Sequence, residues 1–229
     1  MRSVLFDMDG VLLDSEIPAF DMLRESLAAF GVQISLEELL TYIGNSTRMI
    51  AENVLKKYSP EDNTDEFLSF HASRGSFYAT SDKVRPMEGL EEFLLYLKHS
   101  NIQTAVVSST RSVSVLNALN RMNILKYFDI VIGGDMLAHT KPDPEGYNRA
   151  RRLLGSAIEE CLVIEDSPTG IKAAKNAGLK VIGYKGSAYQ QDTSGADAEF
   201  ESYEGLKKSR YFRNFAGIHD IQEVRLCSG

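Results

Sequence analysis

The chain has 229 residues, 43% of them apolar and 25% charged, and no apolar run approaches the ~18 residues of a membrane span. That composition fits a soluble globular protein large enough for a full core, either as one large domain or as a core with a smaller companion, and no membrane partner is expected. A formal net charge of -7 argues against a nucleic-acid partner, and two distant cysteines with four scattered histidines give neither a disulfide framework nor zinc spacing.

The opening MRSVLFDMDG places acidic residues where an export signal needs an unbroken apolar stretch, so a cytoplasmic location is expected. Within it, Val4, Leu5 and Phe6 form a short apolar run that stops abruptly at Asp7-Met8-Asp9-Gly10, the pattern of a buried strand delivering polar groups to its end. From about Pro18 to Ser81 the pattern is helical. Phe20, Leu23, Leu27 and Phe30 recur at helical spacing, with Gly31 at the position of a C-terminal cap. Ser35 and Glu38 have capping-box spacing ahead of Leu36, Leu39 and Leu40. Further helices are predicted over 47–58 and 65–78, separated by the polar loop SPEDNTD.

After Pro86 helices and strands alternate. A helix carrying Leu90, Phe93, Leu94 and Leu97 precedes a strand at 104–107, and a helix over 113–123 precedes a strand at 130–132. A helix over 147–154 then leads to a strand at 162–164, and a helix ending near Gly178 to a strand at Val181 and Ile182. Such alternation predicts an α/β fold: a Rossmann-like parallel sheet with helices on both faces, binding ligands at the carboxyl ends of its strands. The first strand must pair back into the later sheet, so residues 17–82 are expected to form an inserted all-helical cap on a core made of 1–16 and 83–206. Residues 207–229 read as a C-terminal extension of unassigned role, whose basic cluster Lys207, Lys208, Arg210 and Arg213 is expected to be a solvated helix face.

Four polar clusters directly follow predicted strands: Asp7 with Asp9, Ser108-Ser109-Thr110, Lys141 in TKPDPEGY, and Glu165-Asp166-Ser167. A parallel sheet brings these ends into one crevice, where several carboxylates would repel one another unless a cation sat among them. Oxygen donors without nearby His or Cys favour Mg²⁺. A calcium loop is disfavoured because the glycine of DMDG comes fourth rather than sixth and a strand, not a helix, precedes it. Taken singly, Ser108 is equally readable as a strand-end cap, Lys141 as a surface residue before a proline turn, and Glu165 with Asp166 as acidic groups capping the next helix.

In combination these stretches resemble the haloacid dehalogenase superfamily, specifically its phosphatase and β-phosphoglucomutase-like branch with a helical cap inserted after the first motif. DMDGVLLDSE at 7–16, AVVSST at 105–110, KPDPEGY at 141–147 and VIEDSPTGI at 163–171 look like its four motifs in order, and the likeness covers roughly residues 3–206. The resemblance implies that Asp7 is the nucleophile, forming an aspartyl-phosphate, and that Asp9 is the general acid and then base. It implies that Ser108, Ser109 and Lys141 hold the transferring phosphoryl group. A Mg²⁺ would bind Asp7, the backbone carbonyl of Asp9 and Asp166, with Glu165 reaching it through a water.

The implied reaction is hydrolysis of a small phosphorylated metabolite. Dehalogenation is disfavoured, because that activity uses no metal and lacks the second aspartate of the first motif. The sugar-phosphate mutases share every core motif but typically carry a histidine five residues after the aspartate matching Asp14, where this chain has Ala19. A non-catalytic phosphometabolite-binding protein would be expected to have lost one of Asp7, Asp9, Lys141 or Asp166, and a receiver domain would lack the helical insertion. In the cap, Gly44, Asn45 and Arg48 resemble the family segment that reaches the substrate, and Arg74 is a further candidate, although Arg48 reads equally well as an exposed helix residue. Asp14, Ser15 and Glu16 read as linker geometry at the hinge. A monomer or weak homodimer is expected.

Overall fold

The computed structural model describes residues 1–43 and 45–217, so Gly44 and residues 218–229 lie outside the described residues. Strand β1 (Ser3–Phe6) is buried along its whole length, as a strand covered on both faces must be. After a two-residue strand β2 (Leu13–Asp14), the chain forms α1 (Glu16–Ala29), α2 (Leu36–Leu40), α3 (Thr47–Tyr58), α4 (Thr64–Ser73) and α5 (Phe77–Thr80). It returns through β3 (Arg85–Pro86), antiparallel to β2, and then alternates: α6 (Leu90–His99), β4 (Gln103–Val107), α7 (Ser112–Arg121), β5 (Ile130–Ile132), α8 (Glu145–Leu154) and β6 (Cys161–Glu165). The remaining elements are α9 (Pro168–Asn176), β7 (Lys180–Tyr184), β8 (Ala198–Phe200), α10 (Tyr203–Lys208) and α11 (Arg210–Ala216).

Six strands form one parallel sheet in the order β5-β4-β1-β6-β7-β8. Strand β1 lies between β4 and β6, with Phe6 level with Val106 and Ile164, so the connections diverge to either side of it. That divergence opens a crevice beyond the carboxyl end of β1. Because side chains alternate along a strand, Val4 and Phe6 pack with α6, α7, α10 and α11 on one face, while Leu5 packs with α8 and α9 on the other. A third cluster, including Phe20, Leu23, Leu27, Leu39, Val54 and Phe67, gives the helical insertion its own core. Among the described residues no helix is long and apolar enough to cross a membrane.

Three local expectations change. The helix expected over 65–78 divides at Gly75, whose φ of +85° ends α4, and Tyr78 on α5 is buried against the sheet-side core instead of the helical one. Only half of the Ser35 capping box forms: Ser35 Oγ accepts the Glu38 N–H at 3.1 Å, but the Glu38 carboxylate is engaged by Lys57 Nζ at 2.8 Å and the Tyr58 hydroxyl at 2.7 Å. The described part of the C-terminal extension is also structural. Phe212 is fully buried, its ring 5.2 Å from that of Phe93, and Arg2 donates to the Ala216 carbonyl at 3.2 Å. Along its basic face Lys208 pairs with Glu204 one helical turn away.

Candidate active site

The four strand ends meet where the sequence places polar groups. Asp7 extends the ladder by one residue, its N–H donating to the Ile164 carbonyl at 3.0 Å, which aims its carboxylate into the crevice. The chain then turns at Gly10, whose φ is +74°. A side chain there would be blocked, because a Cβ would fall 2.0 Å from Asp166 Oδ2. Carboxylate oxygens of Asp7, Glu165 and Asp166 lie within 4.8 Å of one another. Lys141 Nζ reaches in between them, donating to Asp7 Oδ1 and, at 2.6 Å, to Glu165 Oε1.

Burial dominates the electrostatics. It pushes Asp7 up to about 7, with Glu165 and Asp9 adding to the rise and Lys141 opposing it. Asp166 is driven well above the carboxylate range by burial and by the charges of Glu165, Asp7 and Glu16. Burial pulls the Lys141 ammonium down, but Asp7 and Glu165 carry it well above its ordinary value. Asp9 is also raised by burial, against hydrogen bonds from Ser15 Oγ at 2.6 Å, the Tyr78 hydroxyl at 2.5 Å and Thr110 Oγ1 at 3.4 Å. Ser15 immediately precedes α1 and Tyr78 lies on α5, the last helix before the chain returns to the sheet, so both ends of the insertion grip the same carboxylate.

Glu165 is held most tightly. Oε1 accepts from Lys141 and from the Tyr147 hydroxyl at 2.9 Å, and Oε2 accepts from the Asp166 N–H, the Ser167 N–H and Ser167 Oγ at 3.0 to 3.1 Å. Five donors fill the roughly four lone-pair positions of a carboxylate. Gly170 in the first turn of α9 makes room for it, since a Cβ there would sit 1.6 Å from Oε1. Gly170→Ala is therefore expected to lose about 1–3 kcal/mol in urea unfolding, because an anchored carboxylate cannot move aside. An unchanged midpoint would show that Glu165 is not fixed.

A cavity of about 510 Å³ opens in front of Asp7, between the sheet and the helical insertion. Ser108, Ser109 and Lys141 line its sheet side, with Ser108 Oγ held by the Thr110 N–H at 3.0 Å. Asn45 lines the opposite side. The two arginines expected near substrate are not among the cavity's lining residues. Arg48 is drawn to Asp65 at 2.8 Å and lies 3.8 Å from Glu52, and Arg74 pairs with Glu25 at 2.6 Å, because carboxylates on their own or neighbouring helices lie within reach. The structure adds Glu16, His71 and Gln191 to the wall, and Tyr78 and Tyr147 to the groups that hold the carboxylates. Glu16 and Tyr147 fall inside recognisable motif segments, whereas His71 and Tyr78 are brought in only by the packing of the insertion. Burial and the charges of Asp9 and Asp14 push Glu16 up to about 7.

Comparison with known proteins agrees with this architecture. The family model for haloacid dehalogenase-like hydrolases matches residues 4–184. A phosphorylated carbohydrates phosphatase of Thermotoga maritima is 31% identical over 183 residues, 80% of this chain and 84% of the relative. A phosphoglycolate phosphatase of Aquifex aeolicus is 30% identical, over 79% and 83% of the two chains. The crystal structure of CbbY from Rhodobacter sphaeroides in complex with phosphate superimposes with a TM-score of 0.74 at 26% identity, covering 90% of this chain and 96% of that one. The chain belongs to the haloacid dehalogenase-like hydrolase family.

Proposed function

We propose that this chain is a magnesium-dependent phosphatase of small phosphomonoesters that works through an aspartyl-phosphate on Asp7. The observation that carries the reading is the set of buried Asp7 and Asp166 with half-buried Asp9 and Lys141 at the mouth of a cavity large enough for a small metabolite. An Asp7 oxygen attacks phosphorus as the bond to the leaving oxygen breaks, and Asp9 gives that oxygen its proton. The Asp9 carboxylate then takes a proton from the water that attacks the aspartyl-phosphate, and inorganic phosphate leaves. The burial that raises Asp9 favours its protonated form, while Ser15 and Tyr78 hold it in place. Lys141 and Ser108 would hold the transferring oxygens.

The donor set fits a hard dication: three carboxylates crowd together on oxygen ligands alone, and their mutual charge adds to the burial that raises Asp166. Asp7, Asp166 and the Asp9 carbonyl would hold Mg²⁺, which when bound supplies charge for the phosphoryl oxygens. Glu165, its lone pairs filled, would act through Lys141, and would have to give up one of its protein donors to reach the ion through a water. Hydrolysis is favoured over mutase chemistry because Ala19 lines the cavity and offers no proton carrier.

The direct test is phosphate release from sugar phosphates, phosphoglycolate, nucleotides and an aryl phosphate, with Mg²⁺ or a chelator. Release that needs Mg²⁺ is the expected result. Silence from the folded protein on every compound would overturn hydrolysis and turn attention to isomerisation of sugar 1-phosphates.

Stability should report the metal independently. Asp7 and Glu16 are raised from 3.8 and 4.5 to about 7, so the folded state binds more protons than the unfolded state between those values. Their contribution is fully present near pH 4 and is lost as pH rises through about 7. Without dication the melting temperature is expected to fall over that window, and Mg²⁺ should raise it more at pH 7 than at pH 5. Equal Mg²⁺ shifts at both pH values would place the ion elsewhere.

A further inference from the structure

The part of the cavity beyond the phosphoryl site carries a second piece of information, namely which leaving groups it can hold. Its described lining contains one cation, Lys141, and that ammonium is committed to Asp7 and Glu165. On the insertion side the polar groups are Glu16, Asn45, Ser46, Thr47 and His71, set among Phe20, Leu23 and Ile50. His71 is held neutral, since burial and the nearby Arg74 charge both lower it. The arginines that could have supplied positive charge are turned away to Asp65 and Glu25. A second phosphate or carboxylate on the substrate would therefore find no uncommitted cation among the described lining residues and would meet Glu16, which still carries part of a negative charge near pH 7.

The same wall is suited to hydroxyl groups. Ser26, fully buried, donates its one proton to the Met22 carbonyl at 2.9 Å and accepts from Arg74 Nη1 at 3.2 Å. Its 2.8 Å contact with His71 Nδ1 is then one in which the ring donates. With the Ser26 proton assigned to the Met22 carbonyl, the His71 proton sits on Nδ1 and Nε2 is left as an acceptor on a residue that lines the cavity. Glu16 is a second acceptor, and Asn45, Ser46 and Thr47 can both give and receive.

Resting on the phosphatase reading above, we infer that this site takes phosphomonoesters of neutral, hydroxyl-bearing carbon skeletons, and that Glu16 and the Ser26-oriented His71 select them by accepting substrate hydroxyls and refusing a second anion. Of the two named relatives, the activity on phosphorylated carbohydrates fits this cavity and the activity on phosphoglycolate does not.

Binding to the Asp7→Asn variant with Mg²⁺ present, measured by calorimetry, separates this inference from the reaction, because no turnover is needed. Glucose 6-phosphate or glycerol 3-phosphate is expected to bind at least about tenfold more tightly than phosphoglycolate or a hexose bisphosphate. Adding Glu16→Gln should narrow the gap to phosphoglycolate several-fold. Adding Ser26→Ala should weaken the sugar phosphate relative to phenyl phosphate, a ratio that a general loss of packing would not move. Phosphoglycolate or bisphosphate binding as tightly as the sugar phosphate would overturn the inference, as would failure of the sugar phosphate to bind. Failure of the phosphatase reading has a different signature: wild type that releases no phosphate from phenyl phosphate or from any sugar phosphate it binds.

Discussion

Asp7→Asn is expected to reduce metal-dependent phosphate release by at least about 10³-fold while leaving the protein folded, because removing a nucleophile takes away a covalent route that no neighbour replaces. The substitution is nearly isosteric, and the amide oxygen can still accept from Lys141, which donates to Asp7 Oδ1 in the native site. The neighbouring carboxylates are poor substitutes. Glu165 is filled by five donors, and Asp166 lies beside Gly10, where it is suited to a cation. In the proposed reaction Asp9 carries the proton, and its replacement should fail differently. With an aryl phosphate, whose leaving group needs no proton, Asp9→Asn is expected to become phosphorylated on Asp7 and stall, because the water-activating base is gone. Acid quenching followed by mass measurement of the protein would show the trapped adduct in Asp9→Asn and none in Asp7→Asn. A folded Asp7→Asn enzyme that kept its rate would remove Asp7 from the chemistry.

How much of this was legible in the sequence depended on the range of the interaction concerned. Strand ends that terminate in acidic, hydroxyl or lysine residues are local patterns, and the parallel order of the sheet forces Asp7, Ser108, Lys141 and Asp166 together once the alternation is recognised. The helical insertion was legible for the same reason: apolar spacing in Phe20, Leu23 and Leu27 is local. Contacts made across the insertion were not. Tyr78 reaches Asp9 from 69 positions away, and Gly75, which separates α5 from α4, gives no sign of which core the next residues will join. The arginines failed for a related reason. A guanidinium beside a cavity is drawn to whichever carboxylate packs nearest, and Asp65 and Glu25 decide the direction of Arg48 and Arg74. The short helices α10 and α11, of six and seven residues, are too brief for periodicity to declare, yet Phe212 closes one face of the sheet.

Lys141→Met should affect stability as well as activity, and the pH dependence of the stability loss shows why the lysine is there. Its side chain is 10% exposed, bonded to Asp7 and Glu165, with the Tyr147 ring 5.2 Å from Nζ. Removing one partner from a buried ion group leaves the other charge unpaired, which costs about 3–5 kcal/mol at neutral pH without metal. Below about pH 5 the loss should shrink, because Asp7, already raised to about 7 with the lysine in place, takes up a proton more readily once the lysine is gone. Mg²⁺ should recover part of the stability by restoring positive charge near Asp7. It should not recover activity, expected to fall by about 10²–10³-fold, since in the proposed reaction the lost ammonium also holds the transferring phosphoryl group. Lys141→Arg is not expected to rescue, because a planar guanidinium cannot occupy the point-charge position between two carboxylates and a tyrosine ring. Urea unfolding at pH 5 and pH 7, with and without Mg²⁺, distinguishes this from simple loss of packing. A stability loss equal at both pH values and indifferent to Mg²⁺ would mean that Lys141 serves the core as an aliphatic stem, and its charge would have no part in holding the site together.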